Sequence, residues 1–103
     1  MPTAPGTLVR NGANKITLTF SVDGVQFTFV GVMDPAMPPF NANQVTLTYN
    51  SVNELSSTVS FDGKIGPEHF RLNLSNGVTA KGDLDFPLSP ASLVSGSGTW
   101  TQN

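Results

Sequence analysis

The sequence contains no cysteine, which removes structural disulfides, thiolate zinc sites, iron–sulfur ligation and cysteine nucleophiles together. Charge is scarce as well: 12% of the 103 residues are Asp, Glu, Lys or Arg, about half the quarter usual in a globular domain. The polar surface must then be built mainly from Thr, Ser, Asn and Gly, and such a surface is weakly protected against self-association. Cations are the minority, five against seven acids for a net charge of -2. No run of the sequence clusters them, so a phosphate-tracking surface and a nucleic-acid partner are not expected.

Long apolar runs are also missing. Nothing approaches the length of a transmembrane segment, and MPTAPGTLVR at the start has neither a basic n-region nor an apolar h-region. The expectation is a soluble chain, cytoplasmic or exported without a recognisable signal peptide. One histidine and dispersed carboxylates make no zinc site by spacing, and there is no Asp-x-Asp-x-Asp-Gly calcium loop. Neither a Walker sequence nor a Gly-rich turn opening a helix occurs. No metal or other cofactor is expected.

What the sequence does have is alternation. Apolar and polar residues exchange with period two along the chain, broken by Gly, Asn, Asp and Pro clusters. No helix of ordinary length is evident. These signals predict a single all-β domain over 1–103, an antiparallel β-sandwich or small barrel of seven to eight strands, mostly hairpin-connected. The sandwich is the first choice of the two. The prolines are all placed between strands, where the missing N–H costs no ladder bond.

In KITLTFSVDGVQFTFV, Ile16, Leu18, Phe20 and Val22 share one face before Asp23-Gly24 turns the chain. Asp-Gly suits a type I′ turn, which predicts Phe20 opposite Phe27 and Leu18 opposite Phe29. A second pair is expected from QVTLTYN and LSSTVSF, joined by residues 50–54. In HFRLNLSNGVTAKGDLDF, a two-residue turn would put the two apolar sets on opposite faces. A three-residue Ser75-Asn76-Gly77 loop with Gly77 left-handed restores the match. The last strand places Val94, Gly96, Gly98 and Trp100 on one side. TFSVDG and TVSFDG also resemble each other at an offset of 39 residues.

Candidate sites follow from this register. If Leu74 pairs with Val78, His69 aligns with Asp83 and Arg71 with Lys81. A carboxylate beside an imidazole can orient a general base, but no nucleophile motif stands near, so a solvated surface pair is the expected role and an enzyme is not. Tyr49, Asn50 and Trp100 combine aromatic rings with amide and hydroxyl neighbours, the ingredients of a sugar-stacking site. From Met33 to Phe40, three prolines stiffen an apolar loop. Met33, Met37 and Phe40 then either cap the core or present a surface to a lipid or protein partner.

Three functions are therefore expected of the chain: a non-catalytic, lectin-like module binding a glycan; a binder of lipid or protein surfaces through residues 33–40; or a self-assembling structural subunit. Low charge on the sheet edges motivates the last, since a neutral edge can pair with another copy in a homo-oligomer.

Overall fold

Alternation carries through to eight strands in the computed structural model, which describes residues 2–12, 14–34, 40–88 and 91–102. They are β1 (Thr3–Gly12), β2 (Lys15–Val22), β3 (Val25–Asp34), β4 (Asn41–Thr48), β5 (Thr58–Ile65), β6 (His69–Leu74), β7 (Thr79–Asp83) and β8 (Ser92–Gln102). The strands pair antiparallel in the order β1-β2-β3-β8-β5-β6-β7-β4, and β4 closes onto β1. The result is a closed barrel rather than the sandwich.

The connectivity repeats. Strands β1, β2 and β3 follow one another as hairpins and β4 returns beside β1; β5, β6 and β7 do the same and β8 returns beside β5. Each half is thus a Greek key, three hairpin-linked strands with the fourth lying next to the first. The resemblance between TFSVDG and TVSFDG does not reflect this repeat, because Asp23-Gly24 is a turn whereas Asp62-Gly63 lies inside β5. The equivalent positions are Asp23-Gly24-Val25 and Asn76-Gly77-Val78, the turns joining the second and third strands of each key.

Both turns have the expected geometry. Asp23 and Gly24 take φ of 50° and 80°, and Phe20 and Leu18 face Phe27 and Phe29. Gly77 takes φ of 90°, and the Leu74 carbonyl accepts from its N–H at 3.1 Å while the Leu74 N–H donates to Val78 at 2.8 Å. That three-residue loop keeps Leu72 opposite Ala80 on the inside.

Two expectations fail. Pro5 lies within β1, at a position that pairs with Thr46 of β4 beyond the last partner on β2, so no N–H is needed there. The segments QVTLTYN and LSSTVSF are not a hairpin: β7 and β6 stand between β4 and β5, and residues 49–57 cross the end of the barrel. A 3-10 turn, Val52–Glu54, forms on the way, capped by Ser51. The backbone N–H groups of Asn50 and Ser51 donate to Glu54 Oε1 at 2.7 and 3.2 Å. These bonds, Asn50 first, hold the Glu54 carboxyl below its usual range.

The barrel interior is a single apolar cluster with no buried polar or charged residue among the described residues. Phe29 lies at its centre, 5.0 Å from Trp100 and 6.0 Å from Phe61 between ring centroids. Gly98 makes this possible, since a Cβ there would sit 2.5 Å from Phe29 Cζ. Closure has a further effect: every strand has two neighbours, so no described strand presents a whole free edge of the kind invoked above for homo-oligomer pairing.

Candidate functional site

The aromatic site read from the sequence is not on the surface. Trp100 is 5% exposed and packs on Phe20 and Phe29, with its indole N–H buried and unpartnered. Tyr49 is 6% exposed, and its backbone N–H donates to the Pro2 carbonyl. Asn50 is exposed, but its backbone N–H serves the Glu54 cap. Inward alternation takes both rings into the core, so neither offers a face on which a sugar could stack.

The apolar loop is corrected in the same way. Met33 and Phe40 are core residues, 1% and 7% exposed, and therefore not a lipid or partner surface. Met33 is braced by Asn14, whose carbonyl accepts from the Met33 N–H at 2.7 Å and whose side-chain amide donates back at 3.1 Å. Of the capping and surface readings, these two residues fit the cap. Met37 lies outside the described residues.

Polar side chains converge elsewhere, on the outer face where β4 of the first Greek key meets β7, β6 and β5 of the second. Register sets them in cross-strand rows, because residues directly opposite on neighbouring antiparallel strands point the same way. One row is Gln44, Asp83 and His69 on β4, β7 and β6. The next is Thr46, Lys81, Arg71 and Lys64, continuing to Leu93 on β8. A third contains Asn73, Asp62 and Ser95. The first two rows surround a concavity of about 470 Å³ lined by Gln44, Thr46, His69, Arg71, Lys81 and Asp83. A neighbouring one of about 440 Å³ runs from Arg71 to Leu93.

Backbone geometry holds these rows in place. At Gly82 a Cβ would lie 2.5 Å from the Gln44 carbonyl oxygen, and at Gly63 it would overlap the Arg71 carbonyl. Only glycine permits the strands to approach this closely beneath the site. At the end of β7, Asp85 accepts from the Asn41 side chain at 2.8 Å and from the Asn43 N–H at 3.0 Å. The chain leaving the site is thereby tied to β4.

His69 and Asp83 pair as the sequence predicts, 2.6 Å apart. Both side chains are more than two-thirds exposed, where an ion pair has little energetic weight and water competes for both partners. Among the described residues His69 is hydrogen-bonded to Asp83 and to no hydroxyl. Among the described residues no three His, Asp or Glu side chains converge to hold a metal ion. No described helix is long and apolar enough to cross a membrane.

Register carried the sequence reading as far as the pairs His69–Asp83 and Arg71–Lys81. Gln44, Thr46, Lys64, Asn73, Asp62 and Leu93 were missed. Their membership depends on β4–β7, β5–β6 and β5–β8 neighbours that no two- or three-residue turn signal announces. Comparison with protein-family models, with curated proteins and with solved structures returns no match for this chain.

Proposed function

We propose that the chain is a non-catalytic binding module and that its ligand is a carbohydrate, held on the outer face of β4, β7 and β6. One observation carries this reading: six polar side chains from three adjacent strands surround a single concavity of about 470 Å³. Gln44, Thr46 and Asp83 offer donors and acceptors suited to sugar hydroxyls, with Lys81 and Arg71 as further donors. A rigid barrel presents them with little ordering left to do on binding. The ligand site is thereby moved from Tyr49 and Trp100 to the barrel wall.

A glycan screen followed by backbone amide NMR tests the reading. Shifts are expected at Gln44, Thr46, His69, Lys81 and Asp83, while Trp100 fluorescence stays constant because the indole lies inside. A broad screen with no hit, or shifts confined to the opposite wall, overturns it.

A second reading, self-association, is favoured by three exposed valines. Val9, Val30 and Val32 are 47%, 49% and 55% exposed on the outer face of the first Greek key, and Thr17 stands between Val9 and Val30 in register. Pairing of such faces would shield them from water. Sedimentation showing only a 10.9 kDa species at micromolar concentration ends this reading.

A further inference from the structure

The five Lys and Arg residues are scattered in the sequence, yet three of them meet on the barrel wall. Lys81 stands directly opposite Arg71, and Arg71 directly opposite Lys64, on the consecutive strands β7, β6 and β5. Like charges placed directly across a ladder destabilise a sheet. No ion pair among the described residues involves any of the three. The fold therefore carries a repulsive row that no acid among the described residues neutralises by contact.

From this we infer that the carbohydrate ligand is acidic, a linear polyuronate whose carboxylates are read by Lys81, Arg71 and Lys64. The inference rests on the carbohydrate reading above. Neighbouring strands lie about 4.8 Å apart, close to the length of one glycosyl residue in an extended polysaccharide. A row of three cations across adjacent strands offers several partners to the carboxylates borne along such a chain.

Arg71 occupies the centre. Its Nε donates to Asn73 Oδ1 at 3.2 Å, which orients the guanidinium and leaves its terminal nitrogens to engage a carboxylate as a fork. The two concavities of about 470 and 440 Å³ share Arg71, so they adjoin along the cationic row. At the far end Leu93, 77% exposed, supplies an apolar contact for a ring face.

The flanking rows separate a polyuronate from a nucleic acid. Asp83 and Asp62 stand on either side of the cations. They accept from the free hydroxyls that each uronate residue carries beside its carboxylate, donors that a DNA backbone lacks. Phe70, the phenyl ring lining the larger concavity, is 2% exposed and offers a base no face on which to stack.

Calorimetric titration of the whole chain with an oligogalacturonate tests the inference, using its methyl ester, polyglutamate and oligo-dT as comparisons. Binding to the acid alone is expected. Arg71→Ala should weaken it at least about tenfold, the scale of losing a bidentate charge-assisted pair, and Arg71→Lys should recover part of the loss. Unchanged thermal unfolding of each variant establishes that the fold is intact. Equal binding of the ester, or no effect of Arg71→Ala, overturns the acidic ligand while leaving the carbohydrate reading standing. Equal or tighter binding of polyglutamate or oligo-dT overturns the polyuronate in favour of a general polyanion site. Failure of every glycan, neutral or acidic, overturns both.

Discussion

The two Greek keys share a path through space and differ in what they show to water. In the first, β1 to β4, the outward rows are neutral: Thr7, Thr19 and Thr28 follow one another across three strands and meet Thr101 of β8. Its charges stand at the strand ends or turns, with Arg10 and Lys15 near one hairpin, Asp23 in another and Asp34 closing β3. In the second, β5 to β8, Asp62, Lys64, Arg71 and Lys81 project from the middle of the wall. Threonine there would satisfy β-propensity without repulsion. Connectivity therefore does not distinguish the two walls, and the residues placed against the sheet's own interest do.

The comparison can be broken most severely at the join between the halves. Phe29 belongs to the first key and packs on Phe61 and Trp100 of the second. Phe29→Ala should cost about 3–5 kcal/mol, measured by urea unfolding. A single transition seen alike by Trp100 fluorescence and by circular dichroism is expected; two separated transitions would mean that the keys fold independently. Next comes Gly63→Ala, whose methyl overlaps the Arg71 backbone and should cost about 1–3 kcal/mol as overpacking. Gly12→Ala in the first key is its control, because the nearest neighbouring atom is Lys15 Cβ at 3.9 Å, and it should be close to neutral.

A smaller effect of opposite sign sharpens the contrast. Arg71→Thr gives the second wall the character of the first and removes two like-charge neighbours. It should stabilise the barrel by roughly 0.2–1 kcal/mol, with the gain shrinking as salt screens the repulsion. A loss of stability that does not depend on salt would show that Arg71 is held there for packing. Smallest is the response of the 3-10 cap to acid. The Glu54 carboxyl is held below its usual range by the Asn50 and Ser51 N–H groups. Its contribution is therefore complete above the unfolded-state value and is lost as pH falls through the lower folded one. Amide exchange at Asn50 and Ser51 should accelerate only in that acid window, and Glu54→Gln should abolish the pH dependence.

The parts of this architecture that could be read in advance are those controlled by chemistry close in sequence. Asp23-Gly24 and Ser75-Asn76-Gly77 select particular turns, and each turn fixes a register down its hairpin. That is why Phe20 faces Phe27 and His69 faces Asp83 as expected. Strand β1 was invisible because Pro2, Pro5, Gly6 and Gly12 interrupt its alternation, leaving Ala4 and Leu8 as its buried side chains. The cationic row was half visible: Arg71 and Lys81 follow from the hairpin, but Lys64 joins them only through the β5–β6 ladder beyond Gly66-Pro67. Trp100 shared its face with Val94 and two glycines in the sequence itself. That phase, weighed above the neighbouring polar residues, points it inward.

Barrel closure has a kinetic side. A weakly charged chain rich in Thr and Val is the composition that stacks into cross-β fibrils once strand edges are available. Here no described strand has a whole free edge until a ladder opens, so aggregation through a strand edge would require an opening event. The β4–β7 ladder, five residue pairs from Gln44–Asp83 to Thr48–Thr79, is as short as any in the barrel. A ligand bridging β4 and β7 would clamp that ladder, making occupancy of the outer wall a brake on fibril nucleation.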